Sequence, residues 1–453
     1  MMSNRKLVIV GGGAAALSAA MNARKENRDI QITMFSEEKV LPYSRCGLPF
    51  TLDGEIPDVR NLITQKENFF KIIKVNPRLR CKVTNIDPDA RKVTYLDENQ
   101  KVNTETFESL ILCTGGKPVL PKIPGVGKNG VFVLRTIEDA INISARVKQA
   151  KRAVVVGAGL IGLETAHALK RAGMNVWVIE LLESVLKPIL DEDMAKLVKE
   201  KIEKHGIKVH LGKKVTALEG EENVSRVVVG AEEFPCDIVV FATGVKPDVE
   251  LARNAGLEIG PAGGIKVNER METNKPGIYA AGDCVETVHR VTGKPVLSML
   301  GTSAVRQGKV AGINSAGGNA VYPGTLNATV TRIFDTEIGF VGLTEWQAKE
   351  VSMNCFSVAV PWKTRAEYFP GASEIKVKLV FQKENLRLVG GQVVTKEGAA
   401  GYVNLVSLAI DKGLSAPDLA QLDTCYSPPV ADVWNPVCIA AELAVKKWSE
   451  KSF

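Results

Sequence analysis

Cys46 stands out among the residues of this 453-residue chain that could do chemistry. It lies in Tyr43-Ser44-Arg45-Cys46-Gly47-Leu48-Pro49-Phe50, with a cation before it and a glycine after it. Gly47 permits a tight turn into a helix, and the helix N-terminus together with Arg45 would lower the thiol pKa. A thiolate of that kind attacks disulfides, passes through a sulfenic acid, or holds a mixed disulfide with a small thiol. A buried, inert thiol is the commoner fate of a cysteine, and Cys113, inside an apolar strand, reads that way. None of the eight cysteines forms a C-x-x-C pair, and His167, His205, His210 and His289 lack metal-ligand spacing. No metal site is expected.

The second chemistry is nucleotide binding. Gly11, Gly13 and, in the third glycine's place, Ala16 follow the strand-like run Leu7-Val8-Ile9-Val10 and open an Ala-rich helix. Gly157, Gly159 and Gly162 follow Ala153-Val154-Val155-Val156 and open another. Such turns let backbone approach a pyrophosphate, which the N–H groups of the helix start then receive. After the second copy, Val176-Trp177-Val178-Ile179 ends in Glu180, placed to accept both hydroxyls of a ribose and to repel a 2′-phosphate. NADH is therefore favoured over NADPH. In the first copy Ser36 occupies the matching place, with Glu37 and Glu38 just beyond; one of the two carboxylates is expected to hold the ribose.

The elements that must position these residues recur as well. Leu110-Ile111-Leu112-Cys113-Thr114-Gly115 and Ile238-Val239-Val240-Phe241-Ala242-Thr243-Gly244 are apolar strands ending in Thr-Gly, followed by Lys117-Pro118 and Lys246-Pro247. They read as buried parallel strands ending at tight turns, so a whole βαβ dinucleotide unit is repeated. Gly277-Ile278-Tyr279-Ala280-Ala281-Gly282-Asp283 is a strand ending in Gly-Asp, able to aim a carboxylate at a ribityl hydroxyl and an amide at phosphate. Past about residue 325 the glycine motifs stop. Alternating runs at 375–381 and 387–393 predict an antiparallel sheet, with helices over 401–411 and 437–448 packed on it. With 45% hydrophobic and 24% charged residues, a net charge of +7 without a dense basic block, and no membrane-length apolar run, neither nucleic acid nor a membrane is an expected partner. The N-terminus runs straight into a strand, and a cytoplasmic location is expected.

In this order the motifs resemble the pyridine nucleotide-disulfide oxidoreductase family over nearly the whole chain. The resemblance implies an α/β fold of two Rossmann-like domains and an α+β dimerisation domain. An FAD-binding domain (1–115 and 243–325) would be interrupted by an NAD(P)-binding domain (116–242) and followed by the dimerisation domain (326–453). No second cysteine stands five residues to either side of Cys46. The chain thus looks like the single-cysteine branch of coenzyme A-disulfide reductases, NADH oxidases and persulfide or polysulfide reductases. That branch uses tyrosines where others use a C-terminal histidine, and no histidine follows His289. Tyr368 and Tyr426 match those tyrosines, though a packed aromatic is the plain alternative for each. Coenzyme A contacts would fall to Ser18, Asn22, Lys25 and Arg45, with Arg45 in place of a small polar residue and Trp434 where a lysine is usual. Cys284 would lie close to the flavin and be inert. Tyr43-Ser44-Arg45 is also similar to rubredoxin and nitrite reductase flavoproteins, which lack the cysteine. The implied activity is NAD(P)H-dependent reduction of a small disulfide or persulfide in a homodimer. Oxygen reduction through a cysteine sulfenic acid and electron transfer to a rubredoxin-like protein are the alternatives.

Overall fold

The computed structural model describes residues 5–40 and 42–450; Met1 to Asn4, ahead of the first strand, lie outside them. The chain forms two compact units. One comprises residues to Val119 with Arg135–Ala140 and Gly244–Thr325; the other comprises Leu120–Leu134, Ile141–Thr243 and Leu326 onward.

In the first unit five short strands form one parallel sheet in the order Ile278–Ala280, Ser109–Leu112, Lys6–Val10, Gln31–Phe35, Val75–Arg78. The near-continuous apolar runs of the two central strands Lys6–Val10 and Ser109–Leu112 are what a sheet covered on both faces requires, and Leu7 to Ile9 and Leu110 to Leu112 are at most 1% exposed. The helix Ala14–Glu26 follows the first glycine turn. Its alanine face lies against the helix Gly301–Ser315, where Gly308 and Gly312 let the backbones close up. A methyl group at either glycine would stand 2.2 or 2.3 Å from the carbonyl oxygen of Ala15 or Ala19. The three-stranded meander Lys82–Asp87, Lys92–Leu96, Val102–Thr106 also belongs to the unit, as do a pairing of Gly116–Pro118 against Val245–Pro247 and a small sheet of Ile265–Lys266, Val285–Val288 and Pro295–Leu297.

The second unit repeats the sheet. Lys208–His210, Asn175–Ile179, Arg152–Val156, Ile238–Phe241 and Val131–Val133 are parallel neighbours, and the order of the first three strands, and of the Thr-Gly strand beside them, copies the first sheet. The helix after the second glycine turn spans Leu160–Arg171. The expected antiparallel sheet contains Thr329–Ile333, Thr336–Gly342, Leu388–Thr395, Glu374–Gln382 and Cys355–Lys363, with helices Ala399–Lys412 and Pro436–Ser449 against it. A buried polar knot ties this sheet to the end of the nucleotide fold. Asp191 (7% exposed) exchanges hydrogen bonds with Gln392, and the Lys378 ammonium lies 2.7 Å from Asp193 and 3.2 Å from Asp191. Among the described residues no helix is long and apolar enough to cross a membrane.

Candidate active site

Each glycine turn sits where its first strand meets the neighbouring Thr-Gly strand, the switch point at which α/β sheets bind ligands. Gly11, at φ +127°, leaves no room for a side chain, because a Cβ would stand 2.1 Å from the Cys113 carbonyl oxygen. Gly157, at φ +111°, is closed in the same way by the Ala242 carbonyl at 2.4 Å. Gly13 and Gly159 are the opposite case: nothing lies within 4 Å of a Cβ there, so the helix starts stay open. Neither helix has a side-chain cap or an acidic residue in its first turn, which leaves N–H donors facing that space. The fully buried Ala16 takes the third place in the first turn, whereas Gly162 would bring a methyl group to 2.1 Å from the Gly157 carbonyl oxygen.

In the first unit Asp283 lies 2.8 Å from the Arg135 guanidinium, and both side chains are less than a fifth exposed. Gly115, at φ +73°, lies beside that guanidinium, 3.7 Å from its Cβ position. Thr114 donates its hydroxyl to the Asp248 carbonyl at 2.6 Å. Gln307 accepts the Gly282 N–H at 2.8 Å, while its buried Nε2 has no acceptor among the described residues. Arg135 and Gln307 escaped the sequence reading. The only local sign of Arg135 is a helix start, Asp139 accepting the N–H groups of Arg135 and Thr136 at 2.9 and 2.8 Å. Gln307 lies mid-helix with no motif around it.

Glu38 and Glu37 part company. Glu38 accepts the Tyr43 hydroxyl at 2.6 Å and is ion-paired to Arg45. Burial pushes the Tyr43 phenol up, the nearby Arg45 charge opposes this, and the Glu38 contact adds to it. Glu37 is exposed and 3.4 Å from Lys82. Ser18 is buried with its hydroxyl donated to the Val305 carbonyl at 2.7 Å; Asn22 donates to the Ser18 carbonyl at 2.8 Å, and Lys25 is exposed.

Cys46 is exposed on a three-residue 3₁₀ turn, Arg45–Gly47, which a second short turn, Pro49–Thr51, follows directly. This corrects the expected helix, since turns of one residue triplet carry little dipole. A Cβ at Gly47 would stand 2.3 Å from the end of the Leu62 side chain, which would have to shift. Cys113 and Cys284 are buried, and loss of water pushes both thiols up, as inert residues should be.

In the second unit the Glu180 carboxylate accepts N–H groups from Ala158 at 2.6 Å and Leu182 at 2.9 Å, so its charge is held beside the second glycine turn. Tyr368 and Tyr426, 58 residues apart in sequence, join hydroxyls at 3.0 Å while both rings remain exposed. Gly244, which belongs to the first unit, is at φ +109° with open space in front of it.

The profile described as pyridine nucleotide-disulphide oxidoreductase matches residues 5–308, and that family's dimerisation domain matches 329–437. The chain belongs to this family. An oxidoreductase fold with the family's C-terminal domain, expected from the motifs, is thereby borne out. Among relatives of the family, an NADH oxidase of Methanocaldococcus jannaschii is 41% identical over 98% of this chain and 100% of its own length. A protein of Pyrococcus furiosus described as a CoA-dependent NAD(P)H sulfur oxidoreductase is 33% identical over 98% of this chain and 99% of its own. The solved structure of an NAD-dependent persulfide reductase from A. fulgidus superposes with a TM-score of 0.95 at 36% identity. That match covers 98% of this chain and 83% of the other.

Proposed function

We propose that this chain is an FAD-dependent NAD(P)H oxidoreductase in which Cys46 reduces a small disulfide or persulfide, with coenzyme A as the carrier thiol. The observation that carries the proposal is the exposure of Cys46 on an anchored turn in the unit that bears the first glycine turn. The residues fit FAD. Gly11, Gly13 and Ala16 offer the open helix start, and Thr114, Gly115, Gly244 and Asp283 line the other segments of the site. The unpaired Nε2 of Gln307 next to Gly282 awaits an acceptor. Glu37 takes the ribose, because Glu38 is already committed and the exposed contact of Glu37 with Lys82 is weak. Gly157, Gly159, Gly162 and Glu180 hold the nicotinamide nucleotide, with NADH preferred.

FAD held by these residues would supply two-electron transfer from the nicotinamide to sulfur. The Cys46 thiolate attacks one sulfur of the substrate, forming a mixed disulfide and expelling the other half as a thiolate. Over a cycle NADH, a proton and one disulfide become NAD⁺ and two thiols. Tyr368 and Tyr426 are proposed catalytic tyrosines, supported by their exposure and shared hydroxyl contact. Lys25, Ser18 and Asn22 are the proposed coenzyme A contacts. Arg45 belongs to the proposed set as well, through guanidinium N–H groups beyond those given to Glu38 and the Arg135 carbonyl. A cytoplasmic homodimer, divided at residues 115, 242 and 325, completes the proposal.

The deciding experiment is Cys46→Ser. It is expected to retain FAD and NADH binding and to lose disulfide and persulfide reduction on the order of a thousandfold or more. Full turnover on disulfides would overturn the proposal. The 41% identical NADH oxidase favours a second reading, oxygen reduction through a Cys46 sulfenic acid. Oxygen uptake with NADH alone, abolished in Cys46→Ser, would favour that reading.

A further inference from the structure

Arg45, the residue before Cys46, has its guanidinium held from three sides. It is ion-paired to Glu38 Oε1, donates through Nη1 to the Arg135 carbonyl at 2.7 Å, and lies 5.0 Å from the centroid of the Tyr43 ring. Tyr43 donates its hydroxyl to the other oxygen of the same carboxylate, Glu38 Oε2. Only 29% of the Arg45 side chain and 24% of Glu38 are exposed, so water screens the pair less than it would a surface contact. On the far side of Cys46, Gly47 and the buried Leu48 fix the turn against apolar neighbours.

Two consequences follow for the sulfur. The tether on Arg45 fixes the backbone one residue from Cys46. Glu38 also sets a negative charge directly against the Arg45 guanidinium, so the residue before Cys46 carries an ion pair rather than a lone cation. A thiol with a strongly lowered pKa is a poor nucleophile, and attack is fastest when the thiol pKa lies near the ambient pH. We propose that Glu38 is the positioning residue of the redox turn: it holds Arg45 in place and tempers its charge, and so sets the reactivity of Cys46. The importance of this for turnover rests on the reading of Cys46 as the redox thiol, whereas the electrostatic effect does not.

The test is the pH dependence of Cys46 alkylation by iodoacetamide, followed by peptide mass spectrometry on the reduced, flavin-loaded protein. A Cys425→Ser background removes the other exposed thiol. Glu38→Gln is expected to lower the midpoint by about half a pH unit, roughly a threefold gain in alkylation rate below it. Arg45→Met is expected to raise the midpoint, and Glu38→Gln added to Arg45→Met to bring it back down toward the wild-type value, because the two opposed charges are then both gone. Glu38→Asp, which keeps the charge but draws it back by one methylene, moves the midpoint in the direction of Glu38→Gln by less. It serves as the measurement if Glu38→Gln does not fold. An unmoved or raised midpoint in the Glu38 variants overturns the proposal. So does release of the flavin by Glu38→Gln, which would make Glu38 a cofactor ligand. Full turnover in Cys46→Ser would remove the redox role of the sulfur while leaving the alkylation result standing.

Discussion

Between two nicotinamide nucleotides that differ by one phosphate, a single carboxylate can choose. The Glu180 charge is pinned by two backbone N–H groups, so it cannot swing away from a 2′-phosphate without losing both bonds. The wild type is expected to turn over NADH faster than NADPH. Glu180→Ala should narrow that ratio about tenfold, or ~1.4 kcal/mol; kcat/KM for both nucleotides checks it, and a wild type that prefers NADPH would refute the ribose assignment. The buried thiols give a second prediction at this scale. Burial, aided by Asp237, raises Cys236 from the ordinary value of 9.0 to about 12. Between those values the unfolded chain releases a proton that the folded chain keeps. Stability is therefore intact below pH 9 and falls as pH rises, by up to ~1.4 kcal/mol per pH unit for one such thiol. Urea unfolding of Cys236→Ala between pH 9 and 11 should show a shallower decline than the wild type.

At the scale of elements, the approach of the first glycine-turn helix to Gly301–Ser315 is a tight demand on the first unit. Gly308→Ala places a methyl group 2.2 Å from the Ala15 carbonyl oxygen, and rigid backbone cannot yield as a flexible side chain could. A loss of ~2 kcal/mol or more is expected, seen as a lower urea midpoint. Because the displaced helix carries Ala14, Ala15 and Ala16, flavin retention on gel filtration should fall with it. The sequence showed the alanine-rich helix and its turn. It did not show which element would cover the alanine face, since Gly308 and Gly312 sit in a segment with no nucleotide motif.

For the whole molecule, the segment that matches the dimerisation domain keeps apolar side chains in water. Val430, Val433 and Trp434 are 74%, 53% and 58% exposed, close in sequence to Tyr426. Exposed groups of that size on one segment mark an interface. Val430→Asp combined with Val433→Asp is expected to give a monomer in sedimentation velocity. It should lose disulfide reduction while keeping NADH-dependent reduction of an artificial acceptor such as ferricyanide. A variant that stays dimeric, or a wild type active as a monomer, would sink this assignment.

Both nucleotide folds could be read before any coordinates, because a strand, a glycine forced to positive φ and a helix start are decided by neighbouring residues. So could the antiparallel C-terminal sheet, whose alternation records one buried face. Cys46, Glu180 and Asp283 were legible as candidates for the same reason: each follows or adjoins a local motif. Partnership over distance was not legible. That Arg135 would meet Asp283, that Glu38 rather than the thiol would hold the Arg45 charge, and that Tyr368 would find Tyr426 all depended on chain closure. So did the mutual pairing of the two repeated strings, Gly116–Pro118 with Val245–Pro247. Backbone preferences act over a few residues, whereas the choice of a charged or hydroxyl partner is made by whatever side chain the packed fold brings within about 3 Å.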